Sequence, residues 1–522
     1  MNVLASSFRY IITAILFMVG FAASAQNNLD SYEKYKQDMS KRFEAYKEKS
    51  NKTFEGYRAR MNKEFATYLE REWKNITFNE LLPNPFKPEP EPVVDNNPTI
   101  DSRPLPHTPP VVITEPLPQP KPIEPIPAHP SDPVNVLPDN ENVTIPDEDI
   151  VDIPESKPTV PNTQYISFNF LGNLCQVRLP KTQEYSISTA SNSEMSNAWK
   201  ILSGEEFNDM LVDCLCLRKS LGLCDWAFYQ LTISLTGAYF GKSDINEAVA
   251  MQVYIMAQLG YKVRLARQGN QLYVLVAFTE NLFATPFIVI GEDKFYCFFD
   301  GASDCSVEIC DYQFPGEQSC TARMASIPAA PNNKTSVRTV KSKQYPIAVS
   351  SVAVNKNLVD FYDKYPVCSW EIKAAASLSQ GVKDQIYPSL RKAITNQTQA
   401  QAVNILLNFV QTGFEYETDD EQFGREKAFF GDETFYYPYC DCEDRSILFS
   451  ILVRDLLGLD VVLLEYPSHI ATAVKFTTNV TGDYFDIDGS KYIICDPTFI
   501  GAPIGKSMPD MLNLKANILK IN

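Results

Sequence analysis

The chain is short of histidine, of basic residues and of long apolar runs, and each shortage narrows what it can do. Histidine occurs three times in 522 residues. His107 and His129 fall in a proline-dense stretch, so His469 is the sole imidazole available to a folded region. Lys and Arg number 47 against 64 Asp and Glu, a formal charge of -17. That balance argues against a nucleic-acid binder. Beyond the first 25 residues no stretch reaches the roughly 18–20 apolar residues a membrane-crossing helix needs, so no stable span is expected once a leader is removed. Cysteine is missing before Cys175, and the twelve present are too sparse for a small disulfide-built scaffold. Cys305, Cys310 and Cys320 lie in a loop-like region that they could staple, with a pairing that spacing does not reveal. No dinucleotide fingerprint, P-loop or calcium loop occurs. Cys214/Cys216 and Cys440/Cys442 lack the further ligands of a zinc site. The acids from Glu417 to Glu421 read as a solvated loop rather than a calcium site. No cofactor and no metal are expected.

What is present begins with a leader. Arg9 precedes the apolar run Ile11–Ala22, and Ala23-Ser24-Ala25 offers a small-residue cleavage site. Residues 1–25 therefore read as a signal peptide, an uncleaved anchor being the alternative, and the product is expected in the periplasm or secreted. Residues 26–82 read as one long amphipathic helix. Its stripe runs Tyr32, Tyr35, Met39, then Phe43, Tyr46, Ser50, then Phe54, Tyr57, Met61, then Phe65, Tyr68. A repeat of eleven residues keeps such a stripe on one face with little drift. The stripe within residues 32–68 is expected to bind a second copy, coiled-coil fashion, or a cell-envelope protein, unless it lies on the globular body. Residues 83–162 are a proline-rich linker that samples extended conformations and builds no core.

Two folded regions follow, 163–350 and 351–522, both α+β by their order of helices and strands. In the first, Asp213–Leu223, Asp225–Thr236 and Ala248–Leu259 read as helices, and strands follow Gly260. In the second, Ser389–Thr412 and Ser446–Leu457 read as helices. Asp460–Glu465, His469–Phe476, Tyr484–Ile487 and Tyr492–Cys495 read as strands. The two regions overlay: Gly458 matches Gly260, a shift of 198 residues, each ending an apolar helix before a strand. Under that shift Cys442 becomes Asp244 and His469 becomes Gln271. The first region thus reads as a degenerate copy without nucleophile or base.

Chemistry concentrates between Tyr436 and Thr498. Cysteine attack on an amide needs a thiolate, an imidazole beside it and a group that orients the ring. Cys442 stands at a helix start, where free N–H groups and the helix dipole favour a thiolate. His469 opens one strand and Asp496 closes another, at successive spacings of 27 residues. Antiparallel strands can bring those two side chains together.

Cys442-Glu443-Asp444 at a helix start, His469 followed by Ala471 and Ala473, and Asp496-Pro497-Thr498 together resemble the transglutaminase-like superfamily, a papain-related cysteine enzyme fold. The likeness covers roughly residues 395–500 and is of the exported, Bacteroidota type. Two positions depart from its pattern: Ile470 follows the histidine where an aromatic residue is usual, and Cys440 stands where Gly or Ser is common. The resemblance implies a catalytic triad of Cys442, His469 and Asp496. Acyl transfer from a peptide or protein amide follows, with water as acceptor in a peptidase or amidase and Lys in a crosslinker. The Cys442 backbone N–H, with Tyr436 or Tyr437, is expected to hold the oxyanion. Asp444 and Arg445 are expected to pair at the helix start. Cys440 is left as a resolving thiol, a disulfide partner or a packed small side chain. The competing reading is a non-catalytic envelope scaffold that binds protein through its helix and tandem domains.

Overall fold

The computed structural model describes residues 56–84, 163–181, 185–241, 245–298, 306–346 and 348–521. The signal peptide, the first half of the striped helix, nearly all of the proline-rich linker, Asp244 and Cys305 lie outside the described residues. The chain divides into residues 1–70 and 71–522. The first unit contributes α1, residues 56–69. Its buried positions are Asn62, Phe65, Ala66 and Leu69, while Tyr57 is 40% exposed. That set keeps helical spacing, but of the stripe's members here only Phe65 is buried. The helix also stops well before residue 82, because Lys74–Thr77 forms a strand, β1.

The second unit is α+β, with two helix-backed sheets. The first sheet region contains β2 (Thr163–Phe170), β3 (Asn173–Pro180), α2 (Asn192–Leu202), α3 (Asn208–Ser220), α4 (Asp225–Phe240) and α5 (Ile245–Gln258). β4 (Val263–Gln268), β5 (Gln271–Ala277), β6 (Phe287–Ile290), β7 (Asp293–Cys297) and β8 (Ser306–Cys310) follow. Next come the hairpin β9 (Arg338–Lys341) and β10 (Val349–Val352), and the helices α6 (Lys356–Tyr362), α7 (Trp370–Ala375), α8 (Gln380–Ile394), α9 (Gln399–Gly413), α10 (Asp419–Phe423) and α11 (Cys442–Leu457). The chain closes with β11 (Asp460–Tyr466), β12 (His469–Lys475), β13 (Tyr484–Ile487), β14 (Ser490–Cys495) and β15 (Asn517–Lys520).

The two sheets have one plan. The first runs β1-β8-β4-β5-β7-β6 and the second β15-β11-β12-β14-β13. From β8 and β15 onward they agree strand for strand, and every pairing is antiparallel. Register agrees too. Gln268 faces Gln271 at the tip of the β4–β5 hairpin, and Tyr466 faces His469, 198 residues on along both strands, at the tip of β11–β12. The helix before each hairpin ends at a glycine with positive φ, Gly260 at +85° and Gly458 at +63°. Left-handed backbone at a helix terminus is the conformation glycine adopts without a Cβ penalty.

Helix starts are set by local chemistry. Ser191 with Glu194, Thr398 with Gln401 and Asp441 with Asp444 are capping boxes, which satisfy N–H groups that a helix start leaves open. The Thr398 cap opens a second helix inside the expected 389–412 span. α8 ends at Ile394, Asn396 adopts φ +62°, and α9 begins at Gln399. α11 starts at Cys442, not Ser446, because Asp441 supplies its cap.

β12 is buried along nearly its whole length. Ile470 and Val474 join a core with Leu406, Phe409 and Val410 of α9 and Ile447, Leu448 and Ile451 of α11. Ala471 and Ala473 join a second core with Phe485, Met508 and Met511. Each fully buried Leu, Ile or Phe contributes about 1.5–3 kcal/mol by leaving water. The strand that carries His469 is thus clamped on both faces.

Candidate active site

Three side chains from three elements converge. Cys442 opens α11, His469 opens β12, and Asp496 follows β14 directly. Pairing of Thr472 with Cys495 sets β12 beside β14 and carries Asp496 toward the histidine end. His469 Nε2 lies 2.9 Å from Asp496 Oδ2. Asp496 Oδ1 accepts from the N–H groups of Thr498 at 2.9 Å and Phe499 at 3.2 Å, so the turn after the strand locks the carboxylate. With Nε2 committed to Asp496, Nδ1 is the nitrogen left for the thiol. It makes no aligned hydrogen bond among the described residues, while Cys442 acts on the ring as a hydrogen-bonding and charge partner. The ring of Tyr466 stacks on the imidazole, centroids 6.3 Å apart and 14° from parallel.

Electrostatics favour a charged ring. Burial alone lowers the His469 pKa, but the Asp496 charge and hydrogen bond, and then Cys442, outweigh it and push it up to about 10. An adjacent carboxylate holds a proton on imidazole in this way. An imidazolium beside sulfur in turn stabilises the anionic nucleophile. Cys442 and His469 are 0% exposed and Asp496 is 3% exposed, so the sulfur is closed off from solvent.

The residues expected around this centre divide. Tyr436 and Tyr437, expected as oxyanion donors, sit in an aromatic cluster. Tyr437 stacks on Phe429 and lies under Lys427, and Tyr436 packs against Tyr437 and Lys356. The expected Asp444–Arg445 pair is absent among the described residues. Asp444 accepts from the N–H groups of Phe429 (2.7 Å) and Asp441 (3.3 Å). Arg445 turns instead to the Phe414 carbonyl (3.0 Å) and lies over the Tyr416 ring. Asp444 thereby satisfies two backbone N–H groups and Arg445 one carbonyl, groups that need partners when buried. Cys440 is a buried thiol donating to the Glu415 carbonyl at 3.8 Å, and burial pushes its pKa up. Cys310, Cys320, Cys440 and Cys442 all carry free thiols, so neither the loop staple nor a Cys440–Cys442 bridge is present among the described residues.

Glu443 and Asp419 escaped the sequence reading. Glu443 Oε2 lies 3.6 Å from the Cys442 sulfur and accepts from it, which makes the carboxylate a second acceptor for the thiol proton. Asp419 sits in the acidic stretch read as solvated, yet it is buried and accepts from the Lys427 N–H at 2.6 Å. Carboxylate oxygens of Asp419, Asp441 and Glu443 all lie within 4.8 Å of one another. These three side chains have the spacing to hold a divalent cation by oxygen ligation. Glu443 stood in the quoted Cys442-Glu443-Asp444 motif without a role, and the burial of either acid carried no signal, since it depends on segments brought together from elsewhere.

Chemically, the arrangement is a cysteine sulfur, an imidazole held charged, and a carboxylate fixed by its own turn. This defines the class of the site as a Cys–His–Asp constellation in an α+β fold. Comparison of the chain with family models, with curated proteins and with solved structures finds no match. Among the described residues no helix is long and apolar enough to cross a membrane.

Proposed function

We propose that the protein is an exported cysteine acyl-transfer enzyme of the transglutaminase-like kind, a peptidase or amidase acting on peptide or protein amides. The observation that carries the reading is the buried His469 ring, bonded to Asp496 at 2.9 Å and acted on by Cys442. In the proposed cycle the proton shared by Cys442 and His469 rests on the ring, and the sulfur adds to the substrate carbonyl. His469 then returns the proton to the departing amine, leaving a thioester. Water, deprotonated by the now neutral His469, cleaves the thioester and frees the sulfur, with the proton again on the ring. Asp496 keeps the ring oriented and charged between these transfers. The first sheet region, which has Gln271 at the hairpin position of His469, is in this reading a degenerate copy that shapes the substrate cleft.

The test is selective thiol labelling of the full chain, mapped by mass spectrometry. Cys216 is exposed and serves as the internal reference. Faster labelling at Cys442 than at Cys216, lost in His469→Ala, is the expected result. Labelling at Cys442 that is slower than at Cys216 and indifferent to His469 would sink the enzyme reading. Complete enclosure of Cys442 favours a second reading, a binding module that keeps the catalytic constellation without using it. That reading expects the silent labelling pattern together with a stable partner or self-complex in light scattering.

A further inference from the structure

The Asp496 turn is held from behind by a residue with no part in the proposed proton transfers. Gln411 lies near the end of α9 and is 1% exposed. The two N–H groups of its Nε2 are shared among the carbonyls of Asp496 (3.0 Å), Phe499 (2.8 Å) and Ala502 (3.0 Å). Its Oε1 accepts from the Gly501 N–H at 3.3 Å. One side chain thus gathers four backbone groups of the seven-residue turn 496–502. The Asp496 carboxylate is meanwhile pinned by Thr498 and Phe499 of the same turn and delivers its other oxygen to His469. The turn is irregular backbone, so no sheet ladder supplies those carbonyls with partners, and buried carbonyls need them. Gln411 and the turn residues Gly501 and Ala502 border a cavity of about 190 Å3, also lined by Asn404, Asn408 and Tyr345. The wall behind the turn is therefore amide chemistry rather than packed hydrocarbon.

We infer that Gln411 is a positioning residue, which sets the distance and angle between the Asp496 carboxylate and the His469 ring by clamping the 496–502 turn to α9. The inference rests on the enzyme reading above for its consequence, and on the hydrogen bonds alone for its geometry. A planar amide is suited to the task, since it presents two donors and an acceptor in one rigid plane. An apolar side chain of the same length fills the space but leaves the turn free to move. Misplacement of a reacting group by about 1 Å lowers rates by as much as roughly a hundredfold.

The experiment is proton and nitrogen NMR of the imidazole in the full chain, with His107 and His129 replaced so that only His469 reports. Wild type is expected to show an exchange-protected Nε2–H signal from the bond to Asp496, absent in Asp496→Asn. Gln411→Met is expected to lose or strongly shift that signal and to slow Cys442 labelling roughly tenfold or more. The double variant with Asp496→Asn should be no slower than Asp496→Asn alone. Gln411→Asn, which keeps an amide too short to reach all four groups, gives an intermediate signal and stands in if Gln411→Met does not fold. Asn404→Ala, which removes the acceptor for the Ile504 N–H in the same wall, leaves the signal in place. If Gln411→Met and Gln411→Asn keep the wild-type signal, or Asn404→Ala loses it equally, Gln411 is not the positioning residue. If wild type itself shows neither the protected proton nor His469-dependent labelling, the enzyme reading fails instead, and the two failures are told apart.

Discussion

The proton on His469 is the most sensitive reporter of this centre. The ring is drawn above its ordinary pKa of 6.5 to about 10, so the folded chain binds that proton more tightly than the unfolded chain. Linkage gives the sign: the resulting stability is fully present below about pH 6.5 and fades as pH climbs toward about 10. Urea unfolding at pH 6.5, 8.5 and 10.5 should therefore show a loss of stability across the alkaline interval. Asp496→Asn, which removes the charge that holds the proton, should flatten that pH dependence. An equally steep dependence in wild type and variant would assign it to other groups. A second residue-scale prediction concerns Lys427, whose Nζ lies 3.0 Å from Glu433 Oε1 with both side chains buried. Lys427→Ala leaves that carboxylate enclosed without its cation. Breaking a buried pair costs about 3–5 kcal/mol, read as a lower urea midpoint with unchanged slope.

At the scale of elements, the boundaries of α11 decide where the nucleophile stands. Asp444→Ala removes the acceptor for the Asp441 and Phe429 N–H groups at once. Loss of a cap and of a buried acceptor should cost about 1–3 kcal/mol. It should also loosen the Phe429 segment, visible as faster amide exchange from 427 to 433. At the other end, a Cβ on Gly458 would meet no atom within 4 Å. The cost of Gly458→Ala is then backbone strain alone, about 1–2 kcal/mol for left-handed φ, and a much larger loss in thermal unfolding would refute that account.

The same elements explain what could be read beforehand. Tyr484–Ile487 was legible to the residue, because its apolar run ends at Asp488-Gly489. Cys442, His469 and Asp496 were legible as candidates because each stands at an element boundary, where a side chain is both fixed and presented. The break between α8 and α9 had a signal, Thr398 three residues before Gln401, that an unbroken apolar periodicity concealed. The β2–β3 hairpin had one too, alternation on either side of Leu171-Gly172. The seats of Tyr436, Tyr437 and Arg445 had none. Whether such a side chain reaches the sulfur or a backbone carbonyl depends on how the 413–441 segment lies over α11, and that path is set by Asp444 and Glu433 catching its N–H groups.

At the scale of the molecule, the folded regions do not respect the compositional boundaries. β10 runs across the boundary drawn at 350, and Val340 and Ala348 are buried in the core that holds Cys442. More consequential is β1, which precedes the proline-rich stretch yet forms an edge of the first sheet, pairing Lys74–Thr77 with β8. Phe78 enters the core of that sheet, Trp73 lies under Arg267, and the Asn79 N–H donates to Phe287. A chain beginning at residue 163 therefore loses a strand, a core phenylalanine and the cover of the β8 edge. An uncovered edge pairs with other chains. Burial of Phe78 alone contributes about 1.5–3 kcal/mol. On the linker reading of residues 85–162, removing most of them while keeping 71–84 changes only a loop-closure term, each halving of loop length stabilising by about 0.6 kcal/mol. The truncated chain should then unfold at lower urea and associate in light scattering, while the internally shortened chain unfolds at or above the wild-type midpoint. If the two deletions behave alike, β1 is an appendage and the first sheet is complete without it.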